Sequence, residues 1–254
     1  METSQRAPAF LATLLACTLL AACGGKNTGS KVEPPGSEIT NETRALEAGA
    51  SLLQDKTPLK KLNAYLDGFH FASGNLQQQM EAHHYCGHLN EDVIQCALFD
   101  GNGEDAKLIG IEYIISAKLF VTLPADEKHL WHSHVHEVQS GQLIAPGIPD
   151  VAEQELMQQI AGTYGKTWHT WHTDDRQALP LGVPMLMMGF TRDGQLDEAR
   201  VRERDQRFDV SSGRKRDDRK DLNYPIVDTD ADAWQKGIAV QVEARPVPIQ
   251  PAKP

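Results

Sequence analysis

Three short runs of strand-forming residues follow one another between residues 80 and 116, and turn signals part them. Residues 80–89, 92–100 and 107–116 are separated by Asn90-Glu91-Asp92 and by Gly101-Asn102-Gly103. Asn, Asp and Gly favour the tight reversals that join antiparallel strands, so this stretch must double back twice. Helical patterns lie on either side. Residues 41–54 lean Ala45, Leu46, Ala48, Gly49, Leu52 and Leu53 toward one side, and Thr57-Pro58 suits the start of a second helix through residue 66. Further on, residues 124–130 fit a short helix, and 132–139 with 142–145 resemble another hairpin across Ser140-Gly141. Pro149-Asp150 opens an amphipathic helix over 150–164 that Gly165 would stop, and 167–172 and 184–191 read as the last strands. Residues 196–208 read as a charged surface helix, and the mixed charges of 213–221 as a solvated face. The expected fold is α+β, with a mainly antiparallel sheet built from hairpins and flanking helices.

Apolar residues make up 40% and charged residues 24% of 254, which excludes wholesale disorder and a collagen-like chain. Residues 41–242 carry no internal linker and no repeat, and are expected to form one globular domain. Residues 1–22 read as a signal peptide, with Arg6 in the n-region and an apolar stretch over 7–20. Leu20-Ala21-Ala22-Cys23 followed by Gly24 resembles the bacterial lipobox, in which the Cys thiol is acylated and the preceding peptide removed. On that reading Cys23 carries diacylglycerol and an acyl chain such as palmitate, and residues 23–40 are a flexible Gly-, Pro- and Ser-rich tether. Gly24 after the Cys points to the outer membrane of a bacterial envelope, reached through the lipid anchor. Residues 243–254 form a Pro-rich, extended tail. A net charge of −10 has the wrong sign for a general nucleic-acid binder.

All 10 histidines fall between His70 and His172. His132, His134 and His136 alternate in Trp131-His132-Ser133-His134-Val135-His136-Glu137-Val138, and on a strand alternate side chains share a face. Imidazoles at i and i+2 can chelate one metal ion, with further ligands from neighbouring strands. His83, His84, His88, His169 and His172 are further candidates. Glu112 sits in Leu108-Ile109-Gly110-Ile111-Glu112-Tyr113-Ile114-Ile115, where apolar neighbours on both sides imply burial, and a buried carboxylate needs a partner such as His, Arg or a metal. The bland reading is that these histidines make structural hydrogen bonds. His134 and Glu137 are similar to the metal-holding motif of cupin barrels, but only two residues separate them and the motif's flanking glycines are missing. Folding residues 86–96 about Glu91 sets Cys86 opposite Cys96, close enough for a disulfide, with free thiols as the alternative. No nucleophile elbow, P-loop or HExxH zinc-protease motif is present.

The same residues resemble the oil body-associated protein family, a domain of unknown biochemical function. The resemblance rests on Leu66-Asp67-Gly68-Phe69-His70-Phe71, Gln79-Met80-Glu81-Ala82-His83-His84-Tyr85-Cys86, His88-Leu89-Asn90-Glu91-Asp92 and Leu108-Ile109-Gly110-Ile111-Glu112-Tyr113. Leu130-Trp131-His132-Ser133-His134, Ala145-Pro146-Gly147 and Thr163-Tyr164-Gly165-Lys166 continue it, over about residues 58–215. The chain is thus identified as a bacterial lipoprotein member of that family. The resemblance implies that His70, His83, His84, His132, His134, Glu137 and His169 belong to the shared pattern, whereas His136 and His172 depart from it. It implies association with oil bodies in plant members and attaches no enzymatic activity.

Two functions compete on these grounds. The first is a membrane-anchored envelope lipoprotein, non-enzymatic and associated with lipid surfaces. The second is a metal-binding protein or metal-dependent enzyme in which His84, His132, His134, His169 and Glu112 hold zinc, iron or manganese. A third reading lines a ligand pocket with Trp131, Trp168 and Trp171.

Overall fold

The computed structural model describes residues 27–250. Two helices, α1 (Asn41–Leu53) and α2 (Thr57–Lys60), precede the strands β1 (Ala64–Ala72), β2 (Asn75–Asn90), β3 (Val93–Phe99) and β4 (Leu108–Ser116). Then follow α3 (Ala117–Phe120), α4 (Ala125–Lys128), β5 (His132–Ser133), α5 (Val135–Gln139) and α6 (Asp150–Ile160). The chain continues through β6 (Thr163–His169), β7 (Met185–Met188), α7 (Glu198–Phe208) and α8 (Ser212–Arg219).

The strands form an antiparallel sheet in the order β4-β3-β2-β1-β7-β6-β5, and β6 also pairs with β4, which closes the sheet into a barrel. The fold is α+β, a closed antiparallel barrel with flanking helices. Strand alternation then assigns every side chain to the inside or the outside. Leu66, Met80, Leu98, Ile114 and Met187 pack with Cys86 and Cys96 in one buried cluster, which Val138 of α5 and Met157 and Ile160 of α6 also join. Phe69, Phe71, Leu186, Met188 and Phe190 form a second cluster, joined by Leu196 just before α7, and Ile115, Phe120, Trp131 and Tyr164 a third.

Cys86 pairs with Cys96 across β2 and β3, and a disulfide joins them. The loop it closes spans only 10 residues, so replacing both with alanine is expected to cost about 2–3 kcal/mol in a denaturant titration of the oxidised protein.

Several sequence expectations are corrected. Residues 57–66 do not form a continuing helix: α2 ends at Lys60 and β1 begins at Ala64. Both faces of β1 are buried along most of its length, so the polar–apolar alternation that marks a strand is missing. The hairpin over 132–145 is instead a two-residue strand followed by α5, because His134 adopts the right-handed helical region at φ −90° and ψ −2°. Helix α6 ends at Ile160, and Tyr164 and Gly165 lie in β6. The 196–208 and 213–221 segments are not purely solvated. Arg204 in α7 is fully buried, and Lys215 and Arg219 in α8 are buried against Glu153. Trp131, Trp168 and Trp171 pack with three different apolar clusters rather than with one another.

Candidate metal centre

Glu112 of β4 lies inside the barrel and is 1% exposed. Four imidazoles surround it, each through Nε2. His84 of β2 is 3.0 Å away, His134 3.3 Å, His132 of β5 3.5 Å and His70 of β1 4.0 Å. One ligand atom each from His70, Glu112 and His132 lies within 4.8 Å of the others, and the same holds for His132, His134 and Glu137 of α5. Both His/Glu clusters are geometrically compatible with a divalent metal ion.

Alternation explains why adjacent histidines part company. His84 points inward, while His83 points outward to Asp67 at 3.1 Å and to the Tyr65 hydroxyl at 2.7 Å. Of the residues expected to ligate, the structure brings His84, His132, His134 and Glu112 together. His169 sits one ring further along, its ring centre 5.5 Å from that of His70 and its Nδ1 2.7 Å from the Met80 sulfur. His136 leaves the group, turned by α5 toward Asp193 at 3.8 Å, and His88 is exposed. His70 and Glu137 complete the cluster; the cupin-like spacing after His134 and the family pattern both point to Glu137, whereas only the family pattern points to His70.

The tautomers are fixed from outside. His84 Nδ1 lies 3.0 Å from the Ala82 carbonyl, which can only accept, so Nδ1 carries the proton. Thr163 spends its hydroxyl proton on the Ile160 carbonyl, so it must accept from His134 Nδ1 at 2.8 Å. In the neutral rings, both Nε2 lone pairs then face the Glu112 carboxylate. Lone pair against lone pair at 3.0–3.3 Å is repulsive unless a cation lies between them. His132 is fully buried and neither of its nitrogens is hydrogen-bonded; Glu137 Oε1 and His70 Nδ1 are likewise without partners. Buried polar atoms left unpaired in one place mark a site for an ion or water.

Electrostatics agree with this donor set. Burial drives the His132 ring down to about 3, a neutral imidazole, against the opposing pull of Glu112. Burial would raise Glu112, but positive charge at the His134, His84 and His70 positions, which either a proton or a metal ion can supply, holds it well below the usual carboxylate range. Burial, then the charges of Glu112 and Asp232, push Glu137 well above it.

Two glycines make the room. A Cβ on Gly165 would lie 2.1 Å from Glu112 Oε1 and 2.8 Å from Nε2 of both His132 and His134. One on Gly189 would meet Glu137 Oε1 at 2.4 Å. Gly165→Ala is therefore expected to cost about 1–3 kcal/mol of stability in a denaturant titration, as overpacked cores do. Gly213→Ala in α8, whose Cβ would meet nothing closer than Ser211 Oγ at 3.8 Å, is the control and should leave stability unchanged or slightly raised. The cavity beside the cluster, walled by Leu66, Ile114, Leu143 and Ile160, offers only about 10 Å³ to the centre of a water molecule, room for one water or one ion.

A third group, Asp67, Glu81 and His83, lies outside the barrel wall. Arg204 Nη1 donates to Asp67 at 3.0 Å and Arg207 pairs with Glu81, so these carboxylates already have cations.

Residues 56–223 match the family described as "Protein of unknown function (DUF1264)". Oil body-associated protein 1B of Arabidopsis thaliana is 40% identical over 227 residues, 89% of this chain and 94% of that protein. Oil body-associated protein 1A of Zea mays is 42% identical over 219 residues, 85% and 92% of the two chains. The chain belongs to this family. Oil body-associated protein 2A of Zea mays, at 38% identity over 216 residues, covers 82% of this chain and 86% of its own. No solved structure matches.

These relatives are plant proteins, which overturns the placement of the chain among bacterial lipoproteins and with it the outer-membrane location. The reading as a non-enzymatic, membrane-anchored envelope lipoprotein falls with them, and the His/Glu cluster favours the metal-binding alternative. No relative supports the signal peptide, the lipoprotein or the palmitate. Residues 1–22 and Cys23, with the acyl groups assigned to it, lie outside the described residues. Among the described residues no helix is long and apolar enough to cross a membrane.

Proposed function

We propose that this protein binds a divalent transition-metal ion inside its barrel, through Glu112 and Nε2 of His70, His84, His132 and His134. The observation that carries the reading is the arrangement of His84 and His134, whose Nδ1 atoms are held outside the site while both Nε2 atoms point at one buried carboxylate. A histidine that ligates metal typically donates its other ring N–H to a carbonyl or hydroxyl outside the site. Imidazole with carboxylate suits zinc, iron and manganese rather than calcium or magnesium, which prefer all-oxygen sites. A metal held there would act as a Lewis acid toward a bound water or small ligand. The chain's own residues do the rest. Ala82 and Thr163 orient the rings, Gly165 and Gly189 leave space for the donors, and Leu66, Ile114, Leu143 and Ile160 exclude bulk water.

Elemental analysis of the full chain, purified without a His-tag and without added metal, tests this. Near-stoichiometric zinc, iron or manganese is expected. A metal-free protein that also fails to take up all three ions in calorimetric titration would overturn the proposal.

A further inference from the structure

The outside of the barrel is unevenly covered. One row of side chains crosses five strands, Tyr65 on β1, Tyr85 on β2, Ala97 on β3, Ile111 on β4 and Trp168 on β6, each paired with the next. At its β4 end three large side chains stand well out into water: Leu108 is 53% exposed, Ile111 42% and Tyr113 42%. A contiguous apolar strip of this kind on a sheet face marks an interaction surface.

The same chain carries an unmatched helix. No residue of α1 is buried, and Leu46, Leu52 and Leu53 are 69%, 84% and 83% exposed. At 100° per residue Leu46, Gly49, Ala50, Leu52 and Leu53 lie along one side, with Glu47 and Arg44 opposite. The helix is leashed at both ends beside the bare strands. Before it, Thr28 N–H donates to Asn102 Oδ1 at 2.6 Å and Ser30 Oγ to Asp100 Oδ2 at 2.6 Å, in the turn between β3 and β4. After it, the Lys61 carbonyl lies so close to Gly87 of β2 that a Cβ there would meet it at 2.1 Å. Residues 31–40 between the first leash and α1 have no regular structure and can reach roughly 30 Å when extended.

We propose that two copies of this chain associate by exchanging α1, the helix of each lying on the β2-β3-β4 face of the other. Helix α1 buries no residue on its own chain and leaves that chain's face bare; a second copy supplies what each lacks, in a self-complementary twofold contact. Two contacts of a helix about 20 Å long on a sheet bury in total on the order of 1,200–1,600 Å², within the range of specific stable interfaces. This association is independent of the metal.

Sedimentation equilibrium on the full chain at micromolar concentration is the test. Twice the monomer mass is expected, falling to the monomer mass in Leu53→Glu and, separately, in Leu108→Glu, with metal content and the circular dichroism spectrum unchanged in both. A monomeric full chain, or a dimer that survives both substitutions, would overturn the proposal.

Discussion

Replacing His132 and His134 together with alanine is expected to strip the barrel of metal while the fold persists. Both rings present Nε2 within 3.5 Å of Glu112, and both belong to the second His/Glu group as well as framing the first. Each of the two inner groups close enough to share one ion contains His132, and the second contains His134 as well, so the double substitution breaks both. Bound metal should fall at least tenfold by elemental analysis, as it does when a site loses about 1.4 kcal/mol and free metal lies well below its dissociation constant. If the double variant keeps its metal, the ion lies elsewhere. Thr163→Val is a milder companion. It removes the acceptor that orients His134 without touching a donor, so metal affinity should drop by roughly 10–100-fold.

Arg204→Ala is expected to produce the largest loss of stability. The side chain is fully buried, and its Nη1 donates to Asp67 at 3.0 Å and to the Gln142 carbonyl at 2.8 Å. Nη2 donates to the Gly141 carbonyl and to Ser212 Oγ. One guanidinium thus ties α7 to β1, to the segment after α5 and to the start of α8. Truncation leaves a cavity, unpaired carbonyls and a buried carboxyl without its cation, and removing one partner of a buried pair costs about 3–5 kcal/mol. Burial and the neighbouring Glu81 push Asp67 well above the usual carboxylate range and Arg204 opposes them, so losing the arginine removes that opposing charge. Chemical denaturation reads the effect directly. A change smaller than that of removing the disulfide would show that α7 contributes little to the closed barrel.

Part of this site was legible in the sequence because its signals are local. Glu112 announced itself as a carboxylate amid apolar residues on both sides, and the equal spacing of Cys86 and Cys96 about Glu91 matches the register in which they pair. What was not legible depends on burial from both sides. In β1, Asp67 faces Arg204 while Gly68 and His70 face the interior, so neither helical nor strand periodicity shows. The alternating histidines suggested a single strand face. Helix α5 begins just after His134 and rotates the next turn, which sends His136 to Asp193 and brings Glu137 in instead. Arg204 and Arg219 were read as solvated because charge is usually exposed; their partners, Asp67 and Glu153, are distant in sequence.

Anomalous X-ray scattering from crystals of the full chain, recorded at the absorption edge of whichever element the protein carries, measures the position of the metal most directly. The expected result is a single strong peak within about 2.0–2.2 Å of Glu112 and of the Nε2 atoms of the surrounding histidines. A peak elsewhere, or none inside the barrel, would contradict it and leave the histidines as structural residues.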